Sequence, residues 1–218
     1  MRAGLRISII IAFIVAGNIM ANGQKNKFDL AQLYKENKLT VYNRDITVET
    51  GDNSLAMSQD LGEGLVWING VSFSTGTIEI DLKGQDLFQH SFVGIAFHAQ
   101  DDSTFEAIYF RPFQFRSTDP VKQARAVQYI SLPVYTWQKL REEKAGLYEN
   151  TVKPVPDPDN WFHVKMIVKE KEVLVYVNDA TTPSLQVPLL GERNNGRIAL
   201  YTADQSGGTF ANLVIQNQ

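Results

Sequence analysis

The residues of this chain best suited to chemistry gather in and just after one alternating stretch, residues 91–113, SFVGIAFHAQDDSTFEAIYFRPF. Glu106 lies close in sequence to His98 and Asp101, so a carboxylate and an imidazole could meet there. Such a pair moves protons when burial or a neighbouring charge brings one pKa near the working pH. Glu106 and His98 are therefore the candidate catalytic residues. Tyr109, Arg111, Arg125, Gln128, Tyr129 and Trp137 are the candidate ligand-binding residues, because rings and planar polar groups converging in a cleft hold small polar ligands. His90, His98 and His163 lack the close spacing of a zinc site. Asp157, Asp159 and Asn160, or Asp52 with Asp204, could offer oxygens to a structural calcium ion, though as turn residues they also bond their own backbone. No cofactor is required by any motif: there is no phosphate loop, no nucleophile elbow and no cysteine.

The element that must position these groups is a β-hairpin. Val93, Ile95 and Phe97 alternate with Gly94, Ala96 and His98, the period that separates two faces of a strand. Gln100 to Ser103 form the link, and residues 105–111 repeat the alternation. Symmetric closure sets Ile95 opposite Ile108 and Val93 opposite Phe110 on an apolar face. Gly94, Ala96, His98, Tyr109 and Arg111 then share an open face whose small residues leave room for a ligand. In this register Glu106 falls on the core side, which counts against a catalytic role unless a bulge intervenes.

Around the hairpin, short runs rich in Val, Ile, Thr and Phe read as strands at 39–42, 46–49, 55–59, 65–68 and 77–82, separated by turn clusters that include Gly62-Glu63-Gly64 and Asn69-Gly70. Residues 25–37 read as a short helix or docked arm with Asp29 as cap. From Pro112 to Asn160 the chain makes a long, mostly irregular excursion rich in Arg and aromatic residues, uncommon in a compact domain unless functional. Within it, residues 127–130 read as a strand, and Thr136 caps a short helix that Gly146 ends in the left-handed conformation. Strands return at 162–168, 173–177, 196–201 and 209–215. Trp67 and Trp161, with apolar neighbours, are expected in the core.

At 218 residues and 21% charged, the chain suits one globular domain, and a net charge of −3 offers no electrostatic reason to expect nucleic acid or an anionic membrane as partner. Arg2 and Arg6, the apolar run 7–16 and the small residues Ala21 and Gly23 form a secretory leader, residues 1–23. The run is too short to span a bilayer, so no membrane insertion is expected after cleavage, and the product is periplasmic or extracellular. The expected organisation is this leader, residues 24–54 as an arm and first strands of the same domain, and a sandwich over 55–218.

The segments WFHVKMIV from Trp161, VLVYVN ending at Asn178, GRIAL from Gly196 and FANLVI from Phe210 together resemble the concanavalin A-like lectin/glucanase superfamily, which includes laminin-G-like modules. Within it the chain resembles bacterial 3-keto-disaccharide hydrolase-like domains, from about Leu55 onward. The resemblance implies an all-β, two-sheet antiparallel jelly-roll sandwich with the excursion over one face, and a concave face that meets carbohydrate as ligand or substrate. It also bears on Glu79-Ile80-Asp81, similar to the start of the Glu-x-Asp-x-x-Glu motif of the family-sixteen glucanases. Lys83 and Gly84 follow and no second glutamate does. Retaining hydrolysis needs two carboxyl groups about 5 Å apart, so Glu79 and Asp81 read as a solvated outer face. Three functions stay open: a glycoside hydrolase acting in the concave cleft, a non-catalytic glycan-binding module, and a structural envelope protein with no small ligand.

Overall fold

A computed structural model of the chain describes residues 23–49, 51 and 53–218. The leader expected over 1–23 lies outside the described residues except for Gly23, as does Asp52 of the second calcium pairing.

The first strands are β1 (Lys25–Phe28), β2 (Leu39–Tyr42), β3 (Ile46–Glu49) and β4 (Ser54–Met57), with helix α1 (Leu30–Lys35) between β1 and β2. Asp29 caps α1 by accepting from the Gln32 N–H at 2.9 Å. The arm expected at 25–37 is thus half strand: β1 pairs along the C-terminal strand, Lys25 opposite Gln216. Then follow β5 (Gly64–Phe73), β6 (Gly76–Lys83), β7 (Val93–Asp101) and β8 (Thr104–Phe110). Asn69-Gly70, read as a turn, lies inside β5, which runs on as one strand of ten residues. The local signal appears there as a bulge: pairing with the strand at Gly196–Thr202 jumps from Trp67 to Ser72, and Gly70 takes φ +77°.

The excursion carries a 3-10 turn (Pro112–Gln114), α2 (Pro120–Gln123), β9 (Val127–Ser131), α3 (Trp137–Glu143) and β10 (Glu149–Asn150). Thr136 caps α3 through the Lys139 N–H, and Gly146 has φ +72°. The chain closes with β11 (Phe162–Val168), β12 (Glu172–Val177), β13 (Leu185–Pro188), β14 (Gly196–Thr202) and β15 (Gly208–Asn217).

These strands form two antiparallel sheets. One runs β13-β12-β11-β6-β15-β4-β3 with β1 also on β15; the other runs β10-β9-β8-β7-β14-β5-β2. Neighbours far apart in sequence, such as β7 beside β14, are the crossovers of a jelly roll. Alternation explains the layering: Ile78, Ile80 and Leu82 of β6 are at most 1% exposed, while Glu79 and Asp81 between them face out. Val93, Ile95, Phe97, Ile108 and Phe110 of the second sheet join the same buried cluster. Trp67 is buried, with the Arg197 guanidinium 3.9 Å above its ring and its Nε1–H donated to Asp102. Trp161, expected in the core, is 37% exposed just before β11.

Candidate functional site

The excursion roofs a cavity of about 560 Å³ on the outer face of the seven-stranded sheet. Its floor is built on Gly94, which pairs with Tyr109 of β8 on one side and Tyr201 of β14 on the other. A Cβ at Gly94 would collide with the Ile108 carbonyl oxygen and the Tyr109 backbone, so glycine lets the strands close up. The two tyrosine rings lie 5.9 Å apart. Burial pushes the Tyr109 hydroxyl up to about 12, so it stays a neutral donor and acceptor.

On the β8–β9 side stands Arg111. It donates to the Arg125 carbonyl at 2.7 Å, to the Tyr109 hydroxyl at 2.8 Å and to Gln128 Oε1 at 3.2 Å. Gln128 is buried beneath it and donates to the carbonyls of Tyr129 and Tyr148. It therefore orients Arg111 and does not line the cavity. From the roof come Lys122, Arg125, Trp137 and Arg141. Arg141 stacks over the Trp137 ring at 4.9 Å and grips Glu149 at 2.6 and 3.1 Å, with Arg125 Nε 3.7 Å from the same carboxylate. Phe88 and Trp137, 58% and 40% exposed, are the open rings at the cavity.

Two carboxylates that sequence reading did not select line the other side, above β14 and β5. Glu63 accepts from the Tyr201 hydroxyl, and Asp204 accepts from the Gly62 N–H at 2.7 Å. Arg44, 7% exposed, ties the two loops together by donating to the carbonyls of Gly62 and Ala203. Burial raises the Glu63 carboxyl above its ordinary value, against the lowering pull of Tyr201 and Arg44. Asp204 is held below its ordinary value, first by the Gly62 N–H. Nothing in the linear sequence marked Glu63, which sits in a Gly-Glu-Gly turn. Asp204 was noticed only as a turn residue and calcium candidate.

The hairpin register is as read, with Ile95 opposite Ile108 and Val93 opposite Phe110. The face assigned to His98 is corrected. A β-bulge between Phe97 and Asp101 puts His98 at φ +49°, and the alternation breaks there. Its ring turns inward against Phe73 and Phe97, its Nε2 lies 2.6 Å from the Ser74 carbonyl, and its Nδ1 is 3.5 Å from Glu106 Oε1. Glu106 is 0% exposed on the core side, where it pairs with Phe97. The expected carboxylate and imidazole do meet, but between the sheets and away from the cavity. Tyr129 belongs to the same interior group: it pairs with Ile108 and donates its hydroxyl to Glu106 at 2.7 Å. So Tyr109, Arg111, Arg125 and Trp137 come together around the cavity, and His98, Glu106, Gln128 and Tyr129 do not line it.

Glu79 and Asp81 lie on the outer face of the other sheet, as read. His163 Nδ1 is 2.6 Å from Asp81 and its Nε2 is 3.7 Å from Glu79, while Lys25 also pairs with Glu79. Asp157 accepts from the Asp159 N–H and from Arg116, and Asp159 accepts from the Asp86 N–H, so these act as turn and loop ties. Among the described residues no three His, Cys, Asp or Glu side chains stand where they could hold a metal ion. No helix among them is long and apolar enough to cross a membrane.

The architecture is that of an all-β, two-sheet antiparallel jelly-roll sandwich. No family model matches the sequence, and no curated protein does either. Solved structures are similar at the level of fold. The carbohydrate-binding module CBM66 from Bacillus subtilis superposes with a TM-score of 0.55 at 15% identity, over 83% of this chain and 92% of that one. A Bacillus subtilis protein of unknown function with a galectin-like fold gives 0.60 at 14%, over 90% and 97%. The exoplasmic/lumenal domain of VIP36, in a form bound to calcium and Man3GlcNAc, gives 0.51 at 11%, over 84% of each chain.

Proposed function

We propose that this protein binds carbohydrate in the cavity beneath the excursion. The carrying observation is the composition of that one cavity: the open rings of Phe88 and Trp137 stand beside the planar polar groups of Arg111, Arg125 and Glu63. Rings cover the apolar faces of a pyranose, and forked donors and carboxylates hold its hydroxyls. Similar folds that carry bound or binding-module sugars support the reading by analogy.

A second reading, glycoside hydrolysis of the 3-keto-disaccharide type, is favoured by one specific observation. Two carboxyl groups, Glu63 and Asp204, line the same cavity with pKa values pushed apart, the pattern that separates an acid from a base. Glu63 would give its proton to the glycosidic oxygen as the C–O bond breaks, while Asp204 takes a proton from the attacking water. The Glu106–His98 pair has no place in this step.

A glycan array combined with an assay on glycosides and their 3-keto derivatives tests both. Retention without turnover selects the binding module. Turnover that Glu63→Gln abolishes while retention persists selects the hydrolase. Neither retention nor turnover overturns both. We also propose that residues 1–23 direct export, which an intact Met1 in the mature product, by mass spectrometry, would contradict.

A further inference from the structure

We infer that the ligand of this cavity is an acidic saccharide, whose carboxylate or sulfate seats against Arg111 on the β8–β9 side. This deepens the carbohydrate-binding reading and rests on it.

No carboxylate among the described residues bonds the Arg111 guanidinium. Arg111 is 6% exposed, and all three of its acceptors are neutral: a backbone carbonyl, a phenol and an amide. It takes part in no ion pair among the described residues. A guanidinium carries five N–H donors and cannot shed its proton, so burying it without an anion is costly. The rings of Tyr109 and Phe92, at 4.9 and 5.6 Å, offset only part of that cost.

The surroundings deepen the deficit. Arg125, Arg141 and Lys122 line the same side. Glu149 is the carboxylate that meets this group, and it is already taken by Arg141 at 2.6 Å and approached by Arg125 at 3.7 Å. Lys122 has no ion pair among the described residues. Arg44 makes the contrast clear. It too is buried and bonded to neutral oxygens, but Asp60, Glu63 and Asp204 all stabilise its charge, whereas for Arg111 the pull of the one carboxylate Glu149 is set against the repulsion of Arg141 and Arg125.

The charge is also laid out across the sheet. Cations stand over β8 and β9 and carboxylates over β14 and β5, with β7 and its Gly94 between. A neutral sugar uses no such gradient. A saccharide with an anionic group does: its acid end is drawn to Arg111 and turned away from Glu63 and Asp204, where hydroxyls can donate to the carboxylates. The cavity therefore selects an orientation as well as a charge.

The test is calorimetric titration of the full mature chain with four probes: an oligogalacturonate, its carboxyl-reduced counterpart, a heparin-derived oligosaccharide and its desulfated form. Binding of an acidic probe about ten- to a hundredfold tighter than its neutral counterpart, weakening with added salt, supports the inference, and which acidic probe does so distinguishes carboxylate from sulfate. Arg125→Gln and Lys122→Gln, at the partly open rim, should each erode that preference without changing the melting temperature. Arg111→Lys, which keeps the charge but loses the fork, should erode it further; if it fails to fold, the rim variants carry the test. Equal affinity for acidic and neutral probes overturns the inference and leaves carbohydrate binding standing. Binding of none of the four overturns the inference, and retention on the glycan array then decides the carbohydrate-binding reading separately.

Discussion

Glu106 and Glu63 are held alike and placed oppositely. Each accepts a hydrogen bond from a tyrosine hydroxyl, Tyr129 for Glu106 and Tyr201 for Glu63, and in each pair the phenol is pushed well up, first by burial. Yet Glu106 is sealed between the sheets with His98, under the loop at Gly191, where an added Cβ would come within 2.7 Å of its Oε1. Glu63 stands in the cavity wall. The same pair of residue types is thus a core fastening on one face of a sheet and a candidate reacting group on the other. Access to a ligand separates them, and the partner residue does not.

The largest effect should come from Glu106→Ala. It strands the Tyr129 hydroxyl without its buried acceptor and empties a sealed site, and a chemical denaturation curve should show a loss of about 2–5 kcal/mol. Ligand affinity measured in the fraction that folds should not change. If stability holds and affinity falls, the contrast between the two glutamates is broken. Gly94→Ala should come next, at about 1–3 kcal/mol from overpacking, and here stability and affinity should fall together, because the strand junction and the cavity floor are one structure.

Glu63→Gln should leave the midpoint at low pH nearly unchanged and alter its pH dependence. The folded-state pKa of Glu63 is raised, so its contribution favours the fold fully below the unfolded value and is lost as pH rises through the folded value. Removing the titration should flatten that fall in a series of melts across the acidic range. Tyr201→Phe removes a bond that lowers the Glu63 pKa, so the same fall should move to higher pH; a move to lower pH would contradict the assignment.

The smallest effect belongs to the outer face of the other sheet. The bond to Asp81 raises the His163 pKa, so this contribution is present below the unfolded histidine value and lost as pH rises through the folded one. Burial of Asp81 acts in the raising direction, but His163 and Asn212 hold it net below its ordinary value, so its share is lost as pH falls through that depressed value. With side chains 37% and 25% exposed, the pair should contribute less than about 1 kcal/mol. His163→Asn should reveal this as a slight loss of stability confined to the window between the two pKa values.

How much of this was legible depends on the range of the signal. The strands at Leu39–Tyr42, Ile46–Glu49 and Phe162–Val168 coincide with their alternating runs, and the caps at Asp29 and Thr136 are local chemistry. The excursion announced itself through its length and its arginines, and four of the candidate binders, Tyr109, Arg111, Arg125 and Trp137, line the cavity. His98 was misplaced because the bulge between Phe97 and Asp101 breaks the alternation from which its face was read. Tyr129 was misplaced because its face depends on pairing with β8, which Ile108 reveals only in register. Glu63 was missed because a glutamate between two glycines reads as a turn until Tyr201, 138 positions away, closes on it.

By itself the sequence determined an all-β sandwich, the hairpin register and the segment that would roof one face, because alternation, turn chemistry and capping act over a few residues. Only the tertiary structure decided which polar residues meet, on which side of the sheet, and with which charges for company. Those outcomes depend on crossovers that bring β14 beside β7 and on one bulge in β7, and neither leaves a mark within the span over which a sequence pattern can be read.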